Sequence, residues 1–298
     1  MINYTWLFFA LLAPIIFSIV QILTKYIVSN HFDDIWHYVM VYGLVNIIFL
    51  IIFPIKYVQL MPLEIMIYAI VAALLSIAGC YFYIKAVSIE EITRVIPLFR
   101  FMPLFVIIIS YFFLSEKLPP LFLVAFTLIF IGSLLISVEK NALKITLRKA
   151  FYLMVASSVI YALVDVFIKK MFLTQNYWDV VTWLRLLIFF FTIILILFKW
   201  NSFKLLITKK AKPCMAALGI ELLNLGALFS LFYAFSLGFV SLTTVIESFE
   251  SFFVLVYALL LARWYPAILK EEFSKTIIIT KVVAIILMFS GIMIIAFS

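Results

Sequence analysis

The stretch VIPLFR at residues 95–100 has a counterpart, VIESFE at residues 245–250, later in the same chain. Both copies lie within apolar runs that are long enough to cross a lipid bilayer. The match predicts an internal duplication in which Arg100 and Glu250 occupy equivalent, membrane-embedded positions. Because each half holds five apolar runs, an odd number, the second copy must enter the membrane in the opposite orientation.

The composition of the chain is that of an integral membrane protein. Of its 298 residues, 68% are hydrophobic and 12% are charged, whereas a soluble domain has about 45–50% and about 25%. The net charge of +8 lies in short loops between apolar runs rather than on one basic surface, so nucleic-acid binding is not expected. We find no phosphate-binding, zinc-protease or serine-nucleophile motif, so we expect neither an enzyme nor a cofactor.

The apolar runs predict an all-α membrane fold with ten transmembrane helices. Their continuity favours helices, because strands of a membrane barrel alternate in polarity over about ten residues. The runs lie at residues 4–28, 37–54, 65–86, 92–114, 121–138, 150–172, 180–198, 214–237, 240–262 and 276–297. We expect a first five-helix repeat at residues 1–138, a linker at 139–149 and a second repeat at 150–298.

Further pairs of segments follow the same order in both halves. Phe17 to Lys25 aligns with Tyr161 to Lys169, and Tyr83 aligns with Tyr233. Near the end of each half, Gly132 within IGS aligns with Gly291 within SGI. A series of matches in order on matching runs is much stronger evidence for a duplication than any one of them.

Three segments carry a resemblance to a known family: residues 83–100, the SEKL turn at 115–118, and IGSLLI at 131–136. On these the chain resembles the drug/metabolite transporter superfamily in its EamA-type ten-helix form. The resemblance implies a transporter that exchanges solutes across a membrane. The second half departs from it, because Tyr265-Pro266 stands where the first half has Ser115-Glu116.

The orientation in the membrane is left open. The loops after runs 1, 3, 5, 7 and 9 hold most loop lysines and arginines, whereas the opposite loops hold only Lys56 and Lys117. The positive-inside rule places the basic loops in the cytoplasm and both termini outside. The family resemblance implies the opposite, with both termini in the cytoplasm. The membrane itself is expected to be the cell membrane.

Charged residues inside the runs predict the functional site. A charge near the bilayer centre costs at least about 2.5–3.5 kcal/mol, so it needs a partner or a water-filled cavity. Glu247 and Glu250 share a helix face at a spacing of three, and Arg100 lies at the matching depth of the other half. We expect Arg100 to bind a substrate carboxylate and Glu247 or Glu250 an amine. A permanent Arg100–Glu250 pair is the alternative.

Other polar residues complete the expected site. Glu221 and Asn224 share a face, Asp165 and Gln21 are equivalent by the repeat, and so are Tyr83 and Tyr233. Hydrogen bonds between helices or simple packing are the alternatives for these residues. The predicted substrate-binding set is Gln21, Tyr83, Arg100, Asp165, Glu221, Asn224, Tyr233, Glu247 and Glu250.

Pro97 and Pro103 flank Arg100, and their helix is the expected gate because proline bends a helix. A static kink is the alternative. The loop at 31–37 has two histidines and two aspartates, but their spacing matches no strong metal site, so no bound metal is expected.

The sequence therefore predicts a secondary transporter that moves a small polar organic solute, an amino acid or related metabolite, by alternating access around a charged cavity. Its partners are the solute and the lipid bilayer. Proton coupling and a homodimer are left open. The alternative functions are a non-transporting structural or sensory membrane protein and a flippase for lipid-linked sugars.

Overall fold

The computed structural model of the protein describes residues 5–89, 99, 101–116, 119–137, 149–254, 256–257 and 275–297. Within these ranges the chain forms helices and turns and no strand. The helices are α1 Thr5–His31, α2 Ile35–Leu44, α3 Phe49–Ile55, α4 Leu63–Ile89, α5 Met102–Phe113, α6 Pro120–Ser137, α7 Lys149–Phe172, α8 Tyr177–Phe198, α9 Trp200–Lys209, α10 Ala211–Leu237, α11 Val240–Glu247 and α12 Lys275–Phe297.

The predicted all-α membrane fold is confirmed. Six segments of the described chain are long and apolar enough to cross a membrane: α1, α2 with α3, α4, α7, α8 and α10. Shorter apolar helices occupy 102–113, 120–132 and 282–294, inside the fourth, fifth and tenth predicted runs. α11 lies in the ninth run. Of the predicted linker at 139–149, all but Lys149 lies outside the described residues, so the division into repeats stays a prediction.

Two local features were not predicted. The second run is not one continuous α-helix, because a 3₁₀ turn at Val45–Ile48 joins α2 to α3. The amide of Asn46 donates to the carbonyls of Tyr42 and Gly43 at 2.9 and 3.1 Å there. The loop after the seventh run contains α9, which buries Leu206 and carries lysines on its other faces. Such an amphipathic helix suits the membrane interface.

α6 and α12 pack together by a reciprocal pair of glycine contacts. A Cβ atom on Gly132 would lie 2.7 Å from the carbonyl oxygen of Ala284. A Cβ atom on Gly291 would lie 2.7 Å from the carbonyl oxygen of Ala125. Small residues at such sites let helix backbones approach closely in a membrane. The glycine of each helix thus contacts a backbone carbonyl of the other helix. A twofold axis between two duplicated helices would produce such a reciprocal contact.

Two equivalent lysines bind the ends of two equivalent helices. Lys25 Nζ donates to the Val87 carbonyl near the end of α4, at 2.8 Å. Lys169 Nζ donates to the carbonyls of Phe235 and Gly238 at the end of α10, at 2.8 and 2.6 Å. A cation at a helix C-terminus satisfies carbonyls that have no partner within the helix. Lys25 and Lys169, which the sequence aligns with each other, therefore share one role, because each donates to carbonyls at the C-terminal end of a helix.

Polar contacts tie the loops together at one end of the bundle, which we call the N-terminal face because α1 begins there beside Gly238. The backbone N–H of Gln59 donates to Asp179 Oδ1 at 2.9 Å. The indole N–H of Trp183 donates to the Gln59 carbonyl at 2.8 Å. These contacts join the turn before α4 to the start of α8, and so link the two halves of the chain.

The other end of the bundle, the basic face, is formed by the loop at 32–34 and by α9. Lys210 Nζ lies 2.8 Å from Asp33 Oδ2. The hydrogen bond and the charge of Lys210 lower the pKa of Asp33. Ser202 Oγ donates to Asp34 Oδ2 at 2.5 Å. Asp33 and Asp34 are therefore engaged in fixing α9 and the start of α10 to the first half.

The close contacts of Gly132 and Gly291 predict that the fold does not tolerate a larger residue at these two positions. We expect Gly132→Ala and Gly291→Ala each to lower the thermal unfolding temperature, because the new methyl group meets a backbone carbonyl that no side-chain rotation can clear. Overpacking of this kind costs about 1–3 kcal/mol. Differential scanning fluorimetry of the protein in detergent measures the change.

Gly219→Ala in α10 is the matched control, since nothing lies within 4 Å of a Cβ atom there. That variant should melt at or slightly above the wild-type temperature, because alanine favours helix. Equal melting of Gly132→Ala and Gly219→Ala would contradict the proposed close contact between α6 and α12.

Candidate functional site

A cavity of about 150 Å³ lies at the centre of the bundle, lined by both halves of the chain. Its walls come from α1, α2, α4, α7, α10 and α11, together with Phe99 and Met102 of the fourth run and Glu250 after α11. The structure brings the following predicted site residues to this cavity: Gln21, Tyr83, Asp165, Glu221, Asn224, Glu247 and Glu250. Their role in binding a substrate stays a prediction.

Tyr233 is the described residue of the predicted set that does not line the cavity. Its ring packs against Phe9, with centroids 4.6 Å apart, and against Tyr177, with centroids 5.5 Å apart. Tyr83, its counterpart in the first half, does line the cavity. Tyr233 therefore packs against aromatic neighbours, which was the alternative for this residue, and a contact of Tyr233 with the solute stays a prediction.

Arg100 and Pro97 lie outside the described residues. The expected contact of Arg100 with a substrate, and its alternative pairing with Glu250, therefore stay predictions. Pro103 is buried in the first turn of α5, where a proline removes no intrahelical hydrogen bond. The gating role of Pro97 and Pro103 also stays a prediction.

The carboxyl groups of the cavity differ in how they are satisfied. Asn224 Nδ2 donates to Glu221 Oε2 at 2.8 Å, a hydrogen bond that the sequence analysis did not predict. Asp165 is only 5% exposed, and its Oδ2 has no hydrogen-bond partner in the described part of the chain. The same holds for Gln21 Oε1. Neither oxygen atom therefore accepts the helix-to-helix hydrogen bond that was the predicted alternative for these residues.

Glu247 and Glu250 do not sit on one continuous helix. α11 ends at Glu247, and the backbone turns at Ser248, whose N–H donates to the carbonyls of Thr244 and Val245. Helical conformation resumes at residues 250–254. Both carboxyl groups still line the cavity, because the turn keeps them on the side that faces the bundle interior.

Aromatic side chains form much of the cavity wall. The rings of Tyr83 and Phe99 are 5.5 Å apart, and those of Phe99 and Tyr161 are 5.9 Å apart. Tyr38 and Tyr42 line the wall from α2, and the Tyr38 hydroxyl lies 2.8 Å from Thr24 Oγ1.

Of these aromatic residues, the sequence predicted Tyr83 for the site, but not Phe99, Tyr161, Tyr38 or Tyr42. Two signals were available. Tyr161 aligns with Phe17, and both line the cavity. Tyr38 and Tyr42 are spaced by four on one helix face.

Arg185 of α8 is buried at 3% exposure and is absent from the residues that line the cavity. Its guanidinium lies over the ring of Phe232, 5.2 Å from the ring centroid. A cation in this position is stabilised by the negative face of the ring. The cation of α8 therefore contacts an aromatic neighbour rather than reaching the lipid headgroups.

A carboxylate from the first half caps a helix of the second half at the N-terminal face. Glu116 Oε1 accepts a hydrogen bond from the N–H of Val240 at 3.1 Å, and Oε2 accepts one from the N–H of Ser241 at 3.4 Å. The Ser241 hydroxyl also donates to Glu116 Oε2 and lies 2.8 Å from Ser110 Oγ. A negative group at a helix N-terminus satisfies free N–H groups and the helix dipole.

The position of Glu116 depends on the backbone of the turn before it. Ser115 has a φ of 56°, the left-handed conformation with which many helices end. We call this contact of Glu116 with Val240 and Ser241 the Glu116 clasp. The aligned position in the second half is Pro266, which has no carboxylate. The duplication therefore provides such a carboxylate in its first half alone.

The described residues contain no group of three or more His, Cys, Asp or Glu side chains that is arranged to hold a metal ion. Asp33 and Asp34, which were weighed as metal ligands, instead contact Lys210 and Ser202.

The Glu116 clasp leads to a stability prediction. We expect Glu116→Ala to lower the thermal unfolding temperature, because it leaves the buried N–H groups of Val240 and Ser241 without an acceptor. Each unsatisfied buried donor costs about 1–3 kcal/mol. The measurement is thermal unfolding in detergent, with Glu64→Ala as the control because Glu64 is exposed in the first turn of α4. If both variants melt alike, the clasp does not stabilise the contact between the halves.

Comparison with known proteins finds a family to which the first half of the chain is similar. Residues 4–138 match the model of the EamA-like transporter family. A crystal structure described only as that of a protein aligns over 98% of this chain and 97% of its own, with a TM-score of 0.65 and 13% identity. At this identity the likeness shows the fold alone, and it extends over both halves. No curated protein matches the chain. The first half of the chain, residues 4–138, is therefore similar to the EamA-like transporter family.

Proposed function

We propose that the protein is a secondary transporter that moves a small polar organic solute, an amino acid or related metabolite, across the cell membrane by alternating access. The observation that carries this proposal is the cavity between the two halves. Polar side chains from α1, α7, α10 and α11 converge on it within an otherwise apolar bundle. Secondary transporters built from inverted repeats bind their solutes in such a place.

The energetics of the cavity support a binding role. Ionisable residues inside a membrane protein are expensive, and they mark solute or ion pathways by default. Asp165 and Gln21 present oxygen atoms that have no hydrogen-bond partner among the described residues. A solute that donates hydrogen bonds to these atoms gains affinity because it relieves an existing cost.

Glu221 and Asn224 of α10 provide a second polar point in the cavity wall. Their mutual hydrogen bond fixes the orientation of both groups. The amide retains a further donor and the carboxylate further acceptor positions. The solute is thus held between a fixed pair on α10 and an unsatisfied pair on α1 and α7, and its contacts join the two halves.

The ties between the two halves suggest how access alternates. At the N-terminal face the Glu116 clasp joins the end of α5 to the start of α11. We infer that opening on this face breaks the clasp. The segment of the fourth run that contains Pro97 and Pro103 is then the proposed mobile gate between the two states. Proton binding by Glu247 or Glu250 remains an alternative source of coupling.

Solute exchange in proteoliposomes tests the proposal. We expect the reconstituted protein to move at least one radiolabelled solute from a panel of amino acids, amines, sugars and nucleosides faster than protein-free liposomes. Asp165→Asn and Glu221→Gln should each lower that flux at least about tenfold, which corresponds to about 1.4 kcal/mol.

Asp179→Asn is the matched control, because Asp179 is a buried acid that contacts Gln59 outside the cavity. It should transport at the wild-type rate. Wild-type flux in both cavity variants would contradict the proposed site. Absence of flux for every solute in the panel would favour the non-transporting alternative.

A further inference from the structure

The chemistry of the cavity points to a narrower class of solute than the proposed function requires. Resting on that function, we propose that the recognised group is an organic ammonium on an apolar, ring-sized body. The amine is then required for binding, and a carboxylate on the solute is dispensable.

The charge of the lining residues favours a cation. The acidic side chains that line the cavity are Asp165 of α7, Glu221 of α10, Glu247 of α11 and Glu250 after α11. No lysine, arginine or histidine occurs among the lining residues of the described chain. In an apolar surrounding, opposite charges attract and like charges repel far more strongly than they do in water. A cationic group on the solute is therefore favoured beside Asp165 and Glu221.

A second observation identifies the ligand as a hydrogen-bond donor. Asp165 Oδ2 and Gln21 Oε1 both lack a hydrogen-bond partner in the described part of the chain. Only 5% of the surface of Asp165 is exposed. Both atoms are acceptors. A primary ammonium carries three donors and no acceptor, so it matches this arrangement, whereas a carboxylate offers acceptors alone.

The rest of the wall fits the body of such a solute. The rings of Tyr83, Phe99 and Tyr161 form a continuous row with centroids 5.5 and 5.9 Å apart. Aromatic faces attract a cation and also shield an apolar group from water. A cavity of about 150 Å³ is the size that holds a benzene ring.

An inorganic cation fits the same cavity less well. The described residues hold no group of three or more His, Cys, Asp or Glu side chains in a metal-binding arrangement. Hard cations require several oxygen ligands at close range. Rings of tyrosine and phenylalanine contribute much of the cavity wall instead. The aromatic wall therefore favours an organic ammonium.

Binding of four compounds with one shared phenyl ring tests the proposal on the full-length protein in lipid nanodiscs. The probes are 2-phenylethylamine, 2-phenylethanol, 3-phenylpropionate and phenylalanine, measured by competition or calorimetry. We expect the amine to bind at least about tenfold more tightly than the alcohol and the propionate, and at least as tightly as phenylalanine. Binding of the alcohol or the propionate equal to that of the amine would overturn the proposal, as would absence of amine binding.

A variant separates a direct contact from a structural effect. Asp165→Asn should weaken binding of the amine at least about tenfold and leave the affinity for the alcohol unchanged, whereas a structural role would alter both. Asp179→Asn is the control and should bind both probes as the wild type does. If Asp165→Asn does not fold, Gln21→Leu removes the other free acceptor and should weaken amine binding in the same selective way. Unchanged amine affinity in the folded variants overturns the proposal.

Flux measurements on the same preparation keep this inference apart from the proposed function. Exchange of phenylalanine without binding of the amine would overturn the ammonium site and leave the transport function intact. Selective binding of the amine without any solute flux would support the ammonium site and contradict transport.

Discussion

A polar group inside the hydrocarbon of a membrane must find its partner within the protein. The polar and charged residues discussed above meet this constraint in two ways. Lys25, Lys169 and Glu116 satisfy the free ends of helices, so they stabilise the fold. Asp165 and Gln21 face a central cavity with oxygen atoms that no described residue satisfies. In the first group, Glu116 joins the two halves of the chain, whereas the second group lines the cavity in which we propose that a solute binds.

The duplication explains both the symmetry of the scaffold and its limits. Gly132 packs against the backbone of α12 and Gly291 packs against the backbone of α6 in the same way. This reciprocal contact is what the predicted duplication would produce. The Glu116 clasp has no carboxylate counterpart at Pro266. In the proposed transport cycle, the relative stability of the two states decides which of them is favoured. The clasp stabilises the state in which the N-terminal face is closed, through hydrogen bonds from the backbone of α11 to Glu116.

The sequence predicted the fold and most of the cavity because the cost of a buried charge leaves few alternatives. Asp165, Glu221 and Asn224 had to face the interior, and they do. Tyrosine carries no such penalty, so spacing alone did not separate Tyr38, which lines the cavity, from Tyr233, which packs among other rings. The clasp and the loop contacts join residues more than a hundred positions apart, and neither periodicity nor hydropathy records such pairings.

The central claim is that the polar cavity between the halves is where a solute binds. A cryo-electron microscopy map of the protein in lipid nanodiscs, with and without saturating 2-phenylethylamine, tests it most directly. The account predicts added density in the cavity, with the nitrogen within hydrogen-bonding distance of Asp165 or Gln21 and the ring beside Tyr83 and Phe99. Identical maps, with side chains closing the space between Asp165 and Glu221, would contradict it.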